Sequence, residues 1–220
     1  MVKVVEFSAN KSIINNYMAE LRNVEVQQDR MRFRKNLERL GELMAYEISK
    51  TLDYENVSVS TPLGEKDTDI VVEQPVIATI LRAGLPMHQG FLNVFDKADS
   101  AFIAAYRKYD KNEDYEIRIE YYSAAKIDGH VLILVDPMIA TGSSFVKCLD
   151  GLLHDEIKPK KIHMAAAIAS MEGVEYIKKK LSKYDITLWV CDIDDELTAK
   201  AYIVPGLGDA GDLAYGLKEE

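Results

Sequence analysis

The sequence has few cysteines and no long apolar run, and both absences exclude classes of protein. Its 220 residues include two cysteines, Cys148 and Cys191, without the C-x-x-C spacing of a metal or redox motif. Each lies in an apolar stretch where a small buried thiol fits, so we expect a reducing compartment. The most apolar stretches, Val131–Val135 and residues 164–168, are far shorter than the ~20 residues of a membrane helix.

Positive charge is also in short supply. The chain has 27 Lys and Arg against 36 Asp and Glu, which gives a formal net charge of -9 at pH 7. A chain with this balance is not drawn as a whole to nucleic acid or anionic lipid, so we expect neither as a partner. Residues 1–10 lack the apolar core of a signal peptide, and we expect a cytoplasmic protein. Any anionic ligand must therefore be bound by a local site.

Several catalytic motifs are missing from the sequence. It contains no H-E-x-x-H, no G-x-S-x-G and no G-x-x-x-x-G-K-[ST], which argues against a zincin, a serine hydrolase and a P-loop kinase. One acidic cluster, Asp192, Asp194, Asp195 and Glu196, follows an apolar segment. Crowded carboxylates could hold Mg²⁺, but we expect a solvated loop here.

Short β-favouring segments alternate with helical patterns along the chain. The predicted strands are residues 76–81, 101–106, 130–135, 161–168 and 186–193. The predicted helices are residues 30–52, 87–95, 144–154 and 174–184. This alternation predicts an α/β fold with a doubly wound, largely parallel sheet, whose ligands bind beyond the carboxyl ends of the strands.

One segment breaks the alternation of strand and helix. Residues 115–121 place Ile117, Ile119 and Tyr121 on one face and charged side chains on the other, which indicates a half-exposed strand. Together with the polar residues before it, this strand predicts a β-hairpin arm over about 107–126. A mobile arm over a site and a plain surface hairpin are both compatible with the pattern. We expect residues 60–66 to form a turn.

The most informative stretch reads V-L-I-L-V-D-P-M-I-A-T-G-S-S over residues 131–144. A continuously apolar strand ends in Asp136, and a loop of small residues, 140–144, leads into a helix. The N–H groups and hydroxyls of such a loop, at the positive end of a helix dipole, can surround a phosphate. Asp136 could accept hydrogen bonds from sugar hydroxyls. An Asp in a turn before a Ser/Thr helix cap is the alternative, but the complete string favours the phosphate site.

This string resembles the phosphoribosyl pyrophosphate signature of the type I phosphoribosyltransferases, and Pro137 after the acid makes it similar to the uracil phosphoribosyltransferase branch. Residues 80–87, I-L-R-A-G-L-P-M, resemble the family's pyrophosphate loop, which can carry a non-proline cis peptide, and A-Y-R ending at Arg107 resembles its second phosphate arginine. Residues 202–212, Y-I-V-P-G-L-G-D-A-G-D, are similar to its uracil-binding segment. Weaker similarity lies at Leu21, Arg22, Phe33, Arg34, Tyr46 and Glu47.

The resemblance implies an enzyme that transfers the 5-phosphoribosyl group of phosphoribosyl pyrophosphate to N1 of uracil, giving UMP and pyrophosphate. The residues it assigns to phosphoribosyl pyrophosphate are Arg82, Arg107, Asp136, Pro137, Met138, Ile139, Ala140, Thr141, Gly142, Ser143, Ser144 and Asp209. Uracil falls to Ile203, Gly208, Asp209 and Ala210, and catalysis to Asp136, Arg107 and Asp209. A small hood, built from the N-terminal helix region and the C-terminal segment, completes the expected single domain of residues 1–220.

The assigned residues also make chemical sense on their own. Arg82 and Arg107 can each offer a planar fork of donors to pyrophosphate, although most single arginines are surface groups or partners of carboxylates. The glycines at 206, 208 and 211 match G-x-G-x-x-G, but the Rossmann interpretation needs an acidic residue ~20 positions further on. A loop whose backbone reaches the edge of a base is favoured instead. A C=O facing uracil N3–H beside an N–H facing O4 would reject cytosine.

Cofactor, assembly and regulation follow from the resemblance. Asp136 is followed by Pro137, where many type I enzymes have two adjacent acids, so Mg²⁺ should be carried mainly by pyrophosphate and water, with no direct protein ligand. A homodimer or higher homo-oligomer is expected, and GTP control occurs in parts of the family. Two alternatives stay open: a non-enzymatic nucleotide-sensing regulator that binds RNA on the same fold, and a phosphoribosyltransferase for another base.

Overall fold

A computed structural model describes residues 1–109, 115–153 and 157–218, with the backbone alone for 106–109 and 115–120. Its strands are β1 (Val2–Glu6), β2 (Tyr54–Thr61), β3 (Gly64–Val71), β4 (Val76–Leu81), β5 (Asp99–Tyr109), β6 (Tyr115–Ala124), β7 (Val131–Val135), β8 (Met138–Ile139), β9 (Lys161–Ser170), β10 (Ile186–Asp194), β11 (Glu196–Leu197) and β12 (Ile203–Val204). Its helices are α1 (Ile13–Arg22), α2 (Arg30–Ser49), α3 (Leu85–Val94), α4 (Ser143–Leu152), α5 (Met171–Lys180) and α6 (Ala210–Tyr215).

The main sheet confirms the predicted fold class. Its strand order is β1-β10-β9-β7-β4-β5-β6, and β8 pairs with β9 beyond the end of β7. Strands β1, β10, β9, β7, β4 and β5 run parallel, and β6 returns antiparallel to β5. Each predicted strand and helix corresponds to an element of the structure, whereas β1 and α1 were not predicted as separate elements.

Helices cover both faces of the sheet, as a doubly wound fold requires. Successive residues of β7 show this: Ile133 and Val135 pack in one apolar cluster, and Leu132 and Leu134 pack in the other. Helices α1, α2 and α3 contribute to the first cluster, and α4 and α5 contribute to the second. The first cluster also takes in apolar residues of the C-terminal segment: Ile203, Leu207, Ala210 and Ala214.

The order of the strands places a crevice between β4 and β7. From β4 the chain moves to β5 on one side, and it later returns to β7 on the other side of β4. The connections that leave the carboxyl ends of β4 and β7 therefore diverge to opposite faces of the sheet. Ligands of doubly wound folds bind at such a switch point. The residues that follow the two strands are Arg82 and Asp136.

Two segments contain regular elements that were not predicted. The turn expected within 60–66 lies at residues 62 and 63, and it joins β2 and β3, which pair over their whole length as an antiparallel hairpin. Most of their side chains are polar, and nearly all are exposed, so the alternation of buried and exposed residues that marks a strand is weak. The C-terminal segment is not entirely a loop either, because α6 begins at Ala210.

The β5–β6 pair corresponds to the predicted arm at about 107–126. The two strands pair from Ala101 with Ala124 to Tyr109 with Tyr115, with an irregularity at Ala104. The tip of the arm, residues 110–114, lies outside the described residues. In the described ranges, no helix has both the length and the apolar character of a membrane span.

Candidate active site

Arg82 follows β4 at the crevice, as predicted. The Leu81–Arg82 peptide is cis, and the chain then turns into α3 at Gly84. Gly84 packs so closely on the strand ends that a Cβ there would lie 2.2 Å from Thr79 Oγ1 and 3.0 Å from the Val135 carbonyl oxygen. Only glycine lets the turn approach both strands in this way. The sequence A-G-L-P thus fixes Arg82 between the ends of β4 and β7.

The Arg82 side chain contacts the C-terminal segment. Its Nη2 donates to Asp212 Oδ1 at 3.0 Å and to the Gly216 carbonyl oxygen at 3.2 Å, while its buried Nε has no partner among the described residues. The missing Cβ of Gly211 would lie 3.2 Å from Asp209 Oδ1 and 3.7 Å from Arg82 Nη2. Asp209 and Arg82 therefore flank Gly211, and the loop that contains Arg82 lies next to the start of α6.

Asp136 lies at the end of β7, half-buried in the crevice. Its Oδ1 accepts a long hydrogen bond of 3.5 Å from the Met138 N–H. Burial of the carboxyl and the nearby charge of Asp209 together raise the pKa of Asp136 to about 7, although the Met138 bond acts to lower it. A carboxyl that titrates near neutrality can accept a proton or bind a cationic or hydroxyl-bearing ligand.

The loop from Ala140 to Ser144 is built as an anion-binding turn. Gly142 occupies the N-cap of α4 with φ of 74°, and its Cβ would lie 2.7 Å from the Gly173 carbonyl oxygen. The N-cap Gly142 has no side chain that could cap α4, and Thr141 Oγ1 accepts a long hydrogen bond of 3.4 Å from the Ser143 N–H, so the first N–H groups of the helix are directed at the loop. Thr141 Oγ1 and Ser143 Oγ lie 2.7 Å apart. The turn can therefore offer both N–H groups and hydroxyls to a phosphate.

Residues of β9 and α5 contact this loop and hold its conformation. Ser170 Oγ donates to the Ala140 carbonyl oxygen at 2.6 Å and accepts from the Gly173 N–H at 2.8 Å. Gly173 in turn lies so close to the loop that its Cβ would meet the Ala140 oxygen at 2.2 Å. Sequence reasoning missed Ser170 and Gly173, although a Ser before a predicted helix is a recognisable N-cap signal.

Part of the predicted ligand set has its side chains in the core. Ile139 is 1% exposed, Pro137 is also buried, and both lie beside β9 rather than in the crevice. Ile203 is 5% exposed in the first apolar cluster. Met138 and Ala140 are half-buried. Pro137, Ile139 and Ile203 can therefore reach a ligand only through their backbone groups.

The C-terminal segment brings a row of peptide groups to the edge of the crevice. Gly208 has φ of 91°, and Asp209 Oδ1 caps α6 by accepting from the Asp212 N–H at 3.0 Å. Within the described part of the chain, no group hydrogen bonds to the N–H or C=O of Gly208 or to the N–H of Ala210. The G-x-G-x-x-G pattern runs into a helix, because Gly211 lies in α6, but β12 pairs with β11 rather than with the main sheet.

Arg107 lies on β5, paired with Ile117 on β6, and its side chain lies outside the described residues. The backbone places it beyond the end of β4, because Leu81 pairs with Ala104 three residues earlier. The contact of Arg107 with a ligand stays a prediction.

The acidic cluster is only partly the solvated loop that we expected: Asp195 and Glu196 are exposed, whereas Asp192 and Asp194 belong to β10 and bind a cation. Arg22 Nη2 donates to Asp192 Oδ2 and to Asp194 Oδ1, each at 2.7 Å, and Asp194 is only 7% exposed. Sequence reasoning missed this ion pair. The available signal was the position of Asp194 at the end of a buried strand, the same position that Asp136 has on β7.

The residues present are compatible with a magnesium ion carried by its substrate. No cluster of three or more His, Cys, Asp or Glu side chains in the described ranges could enclose a metal ion. Asp136 and Asp209 are close enough for the charge of one to raise the pKa of the other. A cation between phosphate and these carboxylates would relieve that repulsion, and Mg²⁺ usually keeps water and phosphate ligands.

Comparison with known proteins places this arrangement in a family. The sequence model of the uracil phosphoribosyltransferase family matches residues 8–216. A uracil phosphoribosyltransferase of Porphyromonas gingivalis is 48% identical over 217 residues, which cover 99% of this chain and 100% of the relative. Another, from Pyrococcus furiosus, is 40% identical over 210 residues and covers 92% of this chain and 86% of the relative.

Solved structures show the same architecture. The AQ2163 protein from Aquifex aeolicus is similar with a TM-score of 0.85 and 31% identity, over 97% of this chain and 98% of that one. An adenine phosphoribosyl transferase from Trypanosoma brucei shares the fold with a TM-score of 0.50 and 11% identity, over 86% of this chain and 83% of that one. The sequence matches over nearly the whole length decide the assignment: the chain belongs to the uracil phosphoribosyltransferase family.

Proposed function

We propose that the protein transfers the 5-phosphoribosyl group of phosphoribosyl pyrophosphate to N1 of uracil, giving UMP and pyrophosphate. The observation that carries this proposal is the meeting of Arg82, Asp136 and Asp209 at the β4–β7 crevice in a member of this family. Arg82 supplies positive charge for a pyrophosphate, and the loop of Thr141 and Ser143 supplies donors for the ribose phosphate. The peptide groups of Gly208 and Ala210 supply hydrogen-bonding groups for the edge of the base.

The reaction forms the bond from uracil N1 to the anomeric carbon of ribose and breaks the bond from that carbon to pyrophosphate oxygen. Positive charge develops on the sugar ring and negative charge on the leaving group. Arg82 and Arg107 stabilise the departing pyrophosphate, and the 140–144 loop holds the 5-phosphate in line with uracil. The N1 proton leaves for a carboxylate or water, and Asp136 and Asp209 are the carboxylates placed to take part.

Magnesium enters the proposal as a companion of the substrate. When bound, Mg²⁺ neutralises charge on the pyrophosphate leaving group. Asp136 and Asp209 are the side chains that would face it through water, because we expect the ion to have no direct protein ligand. Removal of the ion with a chelator should abolish turnover, and added Mg²⁺ should restore it. Full activity in the chelator would contradict the requirement.

A homo-oligomer is part of the same proposal, and the β2–β3 hairpin supports it. Val57, Val59 and Ile70 share one face of this hairpin, and Val59 and Ile70 are each 43% exposed. A two-stranded hairpin is at best marginally stable in water, so a partner surface over that face would stabilise it. Light scattering of the purified protein should give a mass of at least a dimer, and V59S/I70S should lower it.

The decisive test of the activity is a base screen. Purified protein is incubated with phosphoribosyl pyrophosphate and Mg²⁺, and nucleotide formation is followed with uracil, cytosine, hypoxanthine, adenine and orotate. We expect uracil to be the preferred base. A faster reaction with another base would favour the alternative transferase, and no nucleotide with any base would favour the non-enzymatic regulator.

GTP control, the cytoplasmic location and the one-domain organisation stay predictions. A GTP titration of uracil turnover tests the first.

A further inference from the structure

The loop before Gly208 is held by a buried charged cluster that lies outside the crevice. Arg22, the last residue of α1, donates through Nη1 to Asp194 Oδ2 at 2.8 Å and to the Gly206 carbonyl oxygen at 2.9 Å. Asp194 Oδ2 also accepts from the Gly206 N–H at 2.8 Å. Both polar groups of the Gly206 backbone are therefore bound by one ion pair.

The next peptide group is held by the hood as well. Gln27, in the short 3-10 helix Val26–Gln28, is 9% exposed. With its amide nitrogen directed at the loop, the orientation that its hydrogen-bond network requires, it donates to the carbonyl oxygens of Leu207 at 2.7 Å and of Leu21 at 3.2 Å. Three polar backbone groups of the loop, the N–H and C=O of Gly206 and the C=O of Leu207, thus bind side chains of the cluster and of Gln27.

Gly206 is held in a conformation that other residues cannot adopt. Its φ is 63°, and a Cβ would lie 2.1 Å from the Ile203 carbonyl oxygen. A turn of this kind needs external hydrogen bonds to keep one geometry, because glycine gains the most backbone freedom when it is released. Burial acts to lower the pKa of the Arg22 guanidinium, but the Asp194 and Asp192 bonds outweigh it and raise the pKa. The cluster thus stays charged.

We propose that Arg22, Asp194 and Gln27 are positioning residues for uracil: they fix the 206–207 turn so that the free peptide groups of Gly208 and Ala210 meet the base edge. None of the three touches a reacting atom. Because hydrogen bonds to a base lose strength steeply when distances or angles change, a loosened turn weakens uracil more than phosphoribosyl pyrophosphate. This inference rests on the proposed function.

The test compares variants of Arg22, Asp194 and Gln27, called the clamp variants, with one control variant. Asp194→Asn keeps the shape and removes the charge, Arg22→Lys keeps the charge but cannot bind Asp194 and Gly206 through one planar fork, and Gln27→Met removes a single donor. The control is Glu20→Gln on α1. Glu20 forms a two-pronged ion pair with Arg32, 2.7 Å at each contact, that does not touch the C-terminal loop.

Steady-state kinetics with both substrates and calorimetric binding of phosphoribosyl pyrophosphate alone are the measurements. Variants are compared below their unfolding midpoints, which circular dichroism records. For Asp194→Asn and Arg22→Lys we expect the uracil KM to rise about tenfold, with a smaller rise for Gln27→Met, and phosphoribosyl pyrophosphate affinity to stay within about twofold of wild type. Preference for uracil over cytosine should fall in the same order. Glu20→Gln should match the wild type in all three readouts.

Two results would overturn the inference. Equal weakening of uracil and phosphoribosyl pyrophosphate would mean that the cluster only stabilises the fold, and clamp variants that behave like Glu20→Gln would mean that it does not position the base. If the Asp194 variant does not fold, Gln27→Met and Arg22→Lys decide the question. Failure of the proposed function would be visible separately, as absence of uracil turnover by the wild type.

Discussion

The ionised carboxyl of Asp136 lowers the stability of the folded protein, so its replacement by Asn should raise the free energy of unfolding at a pH where the carboxyl is ionised. The pKa of Asp136 is about 7 against a usual value of 3.8, because burial and Asp209 disfavour the charged form. The native state therefore keeps a proton that the unfolded chain has lost between about pH 4 and pH 7, and stability falls as the pH rises through that window.

The magnitude follows from the size of the shift. A gap of roughly three pKa units at about 1.4 kcal/mol each sets an upper limit of about 4 kcal/mol on the cost above pH 7. The side chain keeps partial exposure, so solvent screening reduces the cost, and we expect about 2 kcal/mol. Asp136→Asn retains an oxygen that can accept from the Met138 N–H, so it removes the charge and little else.

The assay is urea unfolding of the wild type and the variant at several pH values, without substrate, together with turnover. Asp136→Asn should be more stable than the wild type by about 2 kcal/mol at about pH 8, and the two should converge near pH 4. Its turnover should fall at least about tenfold, because the variant loses the carboxylate that we propose to face the ribose. Asp150→Asn on the exposed side of α4 is the matched control. A variant that is less stable than the wild type at pH 8 would refute the reasoning. A variant with the same turnover as the wild type would mean that Asp136 only forms part of a turn and has no role in the reaction.

Three further predictions concern the arm, the C-terminal segment and a buried histidine. Arg107→Ala should raise the KM for phosphoribosyl pyrophosphate more than that for uracil, since only the former is charged, and a rise confined to uracil would place Arg107 elsewhere. Ala210→Val should abolish uracil binding in calorimetry and largely retain phosphoribosyl pyrophosphate binding. Because Ala210 is 2% exposed, the unfolding midpoint of the variant should fall as well. Unchanged uracil affinity would contradict the assignment of this segment to the base. Burial, with a contribution from Lys161, lowers the pKa of His163 to about 4, and its Nδ1 accepts from the Trp189 N–H at 3.0 Å. The contribution of neutral His163 to stability should therefore be complete above about pH 6.5 and be lost as the pH falls toward 4, with Trp189 fluorescence as the probe of unfolding. His163→Gln should lose that contribution, and an unchanged profile would exclude His163 as its source.

The sequence alone determined the central part of the fold and most of the candidate ligand set. The string from Val131 to Ser144 contains a buried strand, an acid and a glycine turn before a helix, and all three are contiguous. Local rules therefore sufficed to predict β7, the place of Asp136 and the turn at Gly142. The cis peptide before Arg82, which the resemblance to the family raised, is present in the structure.

Tertiary structure decided the features that depend on distant partners. Arg22 and Asp194 are 172 positions apart, and Arg22 and Gly206 are 184 apart, so no local pattern could join them. The acidic cluster looked solvated because its cation comes from α1, at the other end of the chain.

The ionisation of Asp136 and the second partner of Arg82 were decided in the same way. Asp136 owes its raised pKa to burial between strands and to the charge of Asp209, neither of which its neighbours in sequence encode. Arg82 was predicted to bind pyrophosphate, and its contact with Asp212 arises only because α6 folds back over the crevice. Local sequence fixes backbone conformation, whereas the charge state and hydrogen bonding of a side chain depend on what the folded chain brings within a few ångströms of it.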